Sequence, residues 1–257
     1  MFMLTHRAPE LRLAHAADGL LRRNTREALV PGTGFDNLLC SEGGLTVRGV
    51  ADALQLFRAA RWIGALLVAV TAVMLTVLPR TAGTLAAGLH TPILAFELAE
   101  SRAEVEALFA EPGTALRAEL VARMDRGNAL DYLFMLLYAS LLALVAAALA
   151  HVRGPRFLVA AVLAPLAAAA DALENLQLFA ITRALGGDYV VALSRLAVWT
   201  RLKWGGLALA LAWLAPALLR GTRIERVAGA LCVATGVLAA CAAADRNRFA
   251  EAFSICL

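Results

Sequence analysis

The chain is short of charge. Asp, Glu, Lys and Arg make up 17% of its 257 residues, where soluble domains carry about 25%, and that shortage excludes an ordinary water-soluble domain. Histidine is scarce, four residues in all, and none stands in a Glu-x-x-His pair of the kind that builds di-iron bundles. The four cysteines, Cys40, Cys232, Cys241 and Cys256, form no CxxC pair, so a zinc or thiol-redox motif has no support. Cys40 follows Asn37-Leu38-Leu39, without the small residue of a lipoprotein cleavage site. Charges from His6 to Arg26 interrupt the start of the chain, so it does not read as a secretory signal. Gly-rich phosphate loops, Gly-x-Ser-x-Gly elbows and zinc-protease helix motifs are also missing. The formal charge is +4, yet the Arg residues cluster at the ends of apolar blocks, and no basic stripe interleaves with stacking aromatics. Nucleic acid is therefore not an expected partner.

What is abundant is apolar. The hydrophobic set makes up 61% of the chain and the mean hydropathy is +0.71. Ala, Leu and Val gather in long blocks rather than alternating faces. The pattern predicts an all-α, polytopic transmembrane bundle of about five spans, at 62–79, 129–151, 157–182, 190–219 and 227–244. Residues 1–60 read as a separate cytoplasmic arm. It holds amphipathic pieces at 11–21 and 50–62, with a Pro31-Gly32 turn signal between them, and is expected to be in part disordered. The transmembrane domain then fills 61–257.

The short connections 151–156 and 220–226 are basic, which places them, and the N-terminus, on the cytoplasmic side. The longer 80–128 connection then lies outside. Within it Thr91-Pro92 is an N-cap with Pro at the first helical position. The segment 92–110 reads as an interfacial or re-entrant helix, broken at Pro112-Gly113, and a further helix from about Thr114 leads into the second span. Arg195, Arg201 and Lys203 fit this topology poorly, because they fall near the outer end of the fourth span.

Those cations have counterparts. Glu97 lies in the outer connection and Asp131 at the outer end of the second span. Asp171 and Glu174 are roughly 20–25 Å up the third span at 1.5 Å per residue. Four segments thus bring charge to one membrane level. A charge at mid-bilayer costs about 2.5–3.5 kcal/mol on insertion scales, so these groups are expected to face inward and pair. Asp171, Glu174 and Asn175 share a helical face. Pro165 permits a kink below them, and Gly205-Gly206 permits a close approach beside Lys203.

Two readings follow. One is a structural salt-bridge network. The other is a polar pocket in the outer half of the bilayer, in which an excess carboxylate keeps its proton and serves as general acid or base. On the second reading Glu174, Asp171, Asp131 and Lys203 are the catalytic candidates. Glu97, Phe96, Tyr132, Asn175, Trp199 and Arg201 are the ligand-binding ones. No metal ligand set and no cofactor is expected.

The pattern Thr91-Pro92…Phe96-Glu97, Asp131-Tyr132-x-Phe134, Asp171-Ala172-x-Glu174-Asn175 and Lys203 resembles a group of small, uncharacterised bacterial membrane proteins with about four helices. The resemblance covers roughly 60–220 and is most specific in the third-span stretch. It implies a bacterial inner-membrane location and carries no activity. Residues 1–60 and the fifth span fall outside it.

Three functions compete on these residues. The first binds a lipophilic molecule, with or without altering it by proton transfer. The second is a non-catalytic subunit of a membrane complex, its Ala-rich spans packing on other chains or on a second copy. The third is a transporter or proton pathway, which the lack of polar residues in the inner half of the spans disfavours. Membrane lipid is a partner in all three.

Overall fold

The computed structural model describes residues 47–256; the sequence signals at 11–21 and 30–34 lie outside the described residues. What is described is all-α. Helix α1 (Val47–Val77) runs unbroken through 50–62, because neither proline nor a cap interrupts it. The 50–62 piece and the first span are one helix, which ends two residues before Pro79.

A folded connection follows. It contains the short helices α2 (Pro92–Glu97) and α3 (Arg102–Leu108). The single helix expected over 92–110 is therefore two. Ser101, with extended backbone, caps α3 by accepting from the Glu104 N–H at 3.2 Å, which stops α2 from continuing.

Helix α4 (Ala115–Arg153) starts at the Thr114 cap. Its 39 residues span roughly 58 Å at 1.5 Å per residue, more than a bilayer core needs. Gly154, at φ 106°, ends it, and a single 3₁₀ turn leads into α5 (Leu158–Arg183), which runs through Pro165. Helix α6 is Val190–Leu218 and α7 is Arg223–Ala244. At the start of α7, Thr222 and Glu225 form a reciprocal capping box. One residue, Asp245, then separates α7 from an eighth helix, α8 (Arg246–Cys256), which nothing in the hydropathy pattern announced.

The five long helices pack in chain order: α1 along α4, α4 on α5, α5 on α6 and α6 on α7. Successive members are antiparallel, so the 78–114 connection and α8 meet at one end of the bundle and form a cap. The cap has its own core. Phe96, Val105, Leu108, Phe109, Leu120, Met124, Leu178, Ile181 and Leu196 merge there with the ends of α4, α5 and α6.

Four helices are long and apolar enough to cross a membrane: Ala51–Val77, Ala115–Arg153, Pro155–Arg183 and Arg223–Ala244. The expected fourth span forms α6, which has the length but falls outside that set because Arg195, Arg201 and Lys203 dilute its hydropathy. Large apolar side chains such as Trp62, Val68, Ile224 and Val237 are exposed on the outermost helices α1 and α7, as lipid contact requires. The chain is an integral membrane protein.

The cap is laced to itself by backbone. Gly83 N–H donates to the Leu108 carbonyl at 2.8 Å and Thr84 N–H to that of Ala107 at 2.7 Å. A Cβ on Gly83 would stand 2.2 Å from the Ala107 oxygen. Gly83→Ala is therefore expected to destabilise the protein by about 1–3 kcal/mol, as overpacking against backbone does. Thermal unfolding in detergent checks this, and an unchanged midpoint would contradict it.

Candidate functional site

Helix α6 turns Lys203 inward, and three acids from two other helices converge on it. Its ammonium Nζ lies 2.6 Å from Glu174 Oε1, 3.0 Å from Glu97 Oε2 and 3.3 Å from Asp171 Oδ1. Lys203, Asp171 and Glu174 are buried, Glu174 completely. The Asp171 carboxylate also accepts from the Tyr138 hydroxyl at 2.9 Å. Asn175, on the same face of α5, donates its side-chain amide to Asp131 at 2.7 Å. The Trp204 ring covers the ammonium at 4.5 Å. The Thr200 hydroxyl donates to the Glu97 backbone carbonyl at 3.2 Å, securing the end of α2.

Most of the residues expected from sequence thus meet. Glu97, Asp171, Glu174 and Lys203 are in direct contact, and Asp131 joins through Asn175. Tyr132 reaches only a backbone oxygen, that of Ala172 at 3.3 Å. Phe96 is wholly buried in the cap core, edge-on to Phe109 at 5.0 Å between ring centroids, so it supports α2 from behind. Trp199 is half-buried, one turn before Lys203, and takes no part in these contacts. Arg201 is exposed and forms no ion pair with the cluster.

Tyr138 and Thr200 are contacts that the site residues expected from sequence do not include. Tyr138 was within reach of the sequence: it stands seven residues after Asp131, on the same face of α4. Thr200 carried no such signal.

A cleft of about 450 Å³ opens beside the cluster, between α2, α6, α7 and α8. Glu97, Thr200 and Trp204 line it, with Arg201 and Gly205 on α6, Ala239, Ala242 and Ala243 on α7, and Arg246 and Phe253 on α8. Asp171, Glu174 and Lys203 lie behind Glu97 and do not line it. The two glycines divide their work. Gly206 lets α5 approach, since a Cβ there would be 3.2 Å from Ala167 Cβ, while Gly205 faces open space.

Helix α8 closes one side of this cleft. Glu251 accepts from the His90 and Thr91 N–H groups, both at 2.7 Å, and from the Thr91 hydroxyl at 2.9 Å. Arg246 grips Glu104 at 3.0 Å and also donates to the Leu98 carbonyl. Phe253 meets Trp204 edge-on at 5.3 Å. Farther round the cap, Glu106 accepts from Arg117, the Gly186 N–H and the Tyr189 hydroxyl.

No protein-family model, curated protein or solved structure matches the chain. The geometry alone therefore carries the functional reading. Among the described residues no group of three or more His, Cys, Asp or Glu side chains is arranged to hold a metal ion.

Two outcomes are expected. Lys203→Met leaves the three acids without their cation and is expected to cost about 3–5 kcal/mol, the usual loss when one partner of a buried pair is removed. Neutralising the acids in the same chain (Glu97→Gln, Asp171→Asn, Glu174→Gln) should recover most of it. Denaturant unfolding in detergent measures both, and a Lys203→Met protein as stable as wild type would contradict the ion-pair account.

The second concerns pH. Burial by itself raises the Glu106 carboxyl, but the bonds from Gly186, Arg117 and Tyr189 outweigh it and hold the group below its ordinary value of 4.5. Burial is outweighed in the same way at Glu251 by His90 and Thr91, and at Glu104 by Arg246. Such groups stabilise the fold above their unfolded values and stop doing so as pH falls through the lowered folded values. The cap is expected to loosen below about pH 4.5, and Glu106→Gln to flatten that acid limb in a thermal-shift series against pH.

Proposed function

We propose that this integral membrane protein binds a lipophilic small molecule in the cleft and acts on it by acid/base chemistry at the Glu97–Lys203–Glu174–Asp171 cluster. The observation that carries the reading is a mismatch of charge. One ammonium serves three carboxylates in an apolar bundle, and the partly accessible one, Glu97, lines a cleft walled by Ala, Leu and aromatic side chains. An acid in excess of its cation in low dielectric keeps a proton, which it can give to or take from a bound group. Glu97 is placed to contact the ligand. Glu174 and Asp171 share with it the one ammonium of Lys203, and Asp131, through Asn175, fixes the α4–α5 side of the cluster.

The basic connections at 151–156 and 220–226 support a cytoplasmic N-terminus, with α6 as a fifth crossing. The cap and the cleft then lie at the outer face of a bacterial inner membrane. The complete burial of Glu174 favours a second reading. On it the cluster ties α2, α5 and α6 together without chemistry, in a subunit that assembles with other membrane proteins or with itself.

The two readings part on one comparison. Wild type, Glu174→Gln and Ala243→Phe are purified in mild detergent, and the lipophilic molecules retained by each are weighed by native mass spectrometry. The expected result is a retained species in wild type, a changed ratio of species in Glu174→Gln and none in Ala243→Phe. The same species in the same amounts across three folded proteins would overturn the ligand-binding reading in favour of the structural one.

A further inference from the structure

The cleft's lining also bears on the ligand's head group, an inference that rests on the ligand-binding reading above. We infer that the cleft takes a single-chain amphiphile whose head is an amine. The chain part follows from the wall. Ala239, Ala242 and Ala243 face Gly205 across the cleft, and the Gly205 position looks onto open space. Small side chains on both sides leave a smooth slot that suits an extended alkyl chain, and its volume of about 450 Å³ is within the range of ligand sites.

The head follows from where the charges sit. Four charged side chains line the cleft: Glu97, Glu100, Arg201 and Arg246. Formally they cancel, but they do not count equally. Glu100 is 59% exposed and Arg201 is exposed too, so water screens both. Arg246 is already satisfied by Glu104 and the Leu98 carbonyl. Glu97 is 14% exposed and is backed by Asp171 and Glu174, which share its one cation. A charge pair in such partly buried surroundings interacts about fourfold more strongly than in bulk water. The inner end of the slot is therefore acidic in effect, whatever the rim carries. It offers a carboxylate acceptor at Glu97 beside the Trp204 and Phe253 rings. An ammonium or amine N–H complements that end; a carboxylate or phosphate head would face Glu97, with two further acids behind it.

The test uses the full chain in mild detergent and three probes of equal chain length, hexadecylamine, hexadecanol and palmitate, with binding read by native mass spectrometry. The amine is expected to bind about tenfold or more tighter than the other two, as a charge-assisted hydrogen bond allows. Glu97→Gln should bring the amine down to the level of the alcohol. Arg201→Gln should leave the order unchanged, and Ala243→Phe should remove binding of all three. Palmitate binding best, with the preference lost in Arg201→Gln, would put the head at the rim and overturn the inference. Equal binding of amine and alcohol to wild type would overturn the head-group assignment while leaving the cleft as a ligand site. Failure of all three probes to bind, or binding that Ala243→Phe does not change, would remove the cleft itself and the reading beneath it.

Discussion

A single ammonium holds the middle of this molecule together. Lys203 Nζ pairs with Glu97, Asp171 and Glu174, and each acid arrives on a segment that would otherwise have no reason to stop there. A charge left facing hydrocarbon costs several kcal/mol. The groups therefore either meet or prevent the helices from inserting as they do. This constraint sets the rotation of α5 about its axis, because Asp171, Glu174 and Asn175 must all point at α4 and α6. It sets the rotation of α6 as well, which sends Lys203 inward and leaves Arg201 outside. It also draws α2 down onto the bundle, since Glu97 is its last residue. The cap is thus anchored to the bundle electrostatically as well as by the apolar contacts around Phe96 and Phe109.

The same arithmetic made much of the molecule readable from its residues. Apolar blocks of spanning length need no knowledge of packing, and four of the expected spans appear as helices apolar enough to cross. The meeting of Glu97, Asp171, Glu174 and Lys203 was readable because a buried charge has few options, and the acids and bases fell at one calculated depth. The third-span face was the clearest case: spacings of three and four residues put Asp171, Glu174 and Asn175 on one side before any partner was known. What did not transfer was the role of side chains that carry no net charge. Phe96 sits one residue from Glu97 and is among the ligand-binding residues expected from sequence. A helix turns about 100° per residue, so its neighbour faces the cap core instead.

The cap itself was read least well, and for a physical reason. Its helices are short, and their ends are set by single hydrogen bonds. Ser101 bonding back to Glu104 splits the expected 92–110 helix in two, a local competition that periodicity does not register. Helix α8 is more extreme. Its eleven residues, RNRFAEAFSIC, are polar enough to pass for a tail. They are held by partners some 150 residues away in the chain, Glu251 at Thr91 and Arg246 at Glu104. Such pairs have no local signature. They matter because they fix the same segment that delivers Glu97, so the position of the most accessible acid in the cluster depends on a helix at the far end of the sequence.

The choice of lysine at the centre is itself informative. Three acids approach Nζ from two helices, α5 and α2, at different heights. An ammonium is a compact point charge with three rotatable donors and can answer them from different directions. A guanidinium offers a planar fork suited to one or two carboxylates lying in its plane. Arginine at 203 would satisfy Glu174 or Glu97 well and leave the remaining acids poorly matched. The side chain would also have to find room for a larger head beneath the Trp204 ring, which covers the ammonium at 4.5 Å. A bundle built only to neutralise charge could have used one acid per base, as the cap does at Arg117 and Glu106. Here three acids surround a centre that can pair with all of them and fully neutralise only one. On the reading proposed above, that surplus, at the junction with the cleft, is what exchanges a proton or a cationic group.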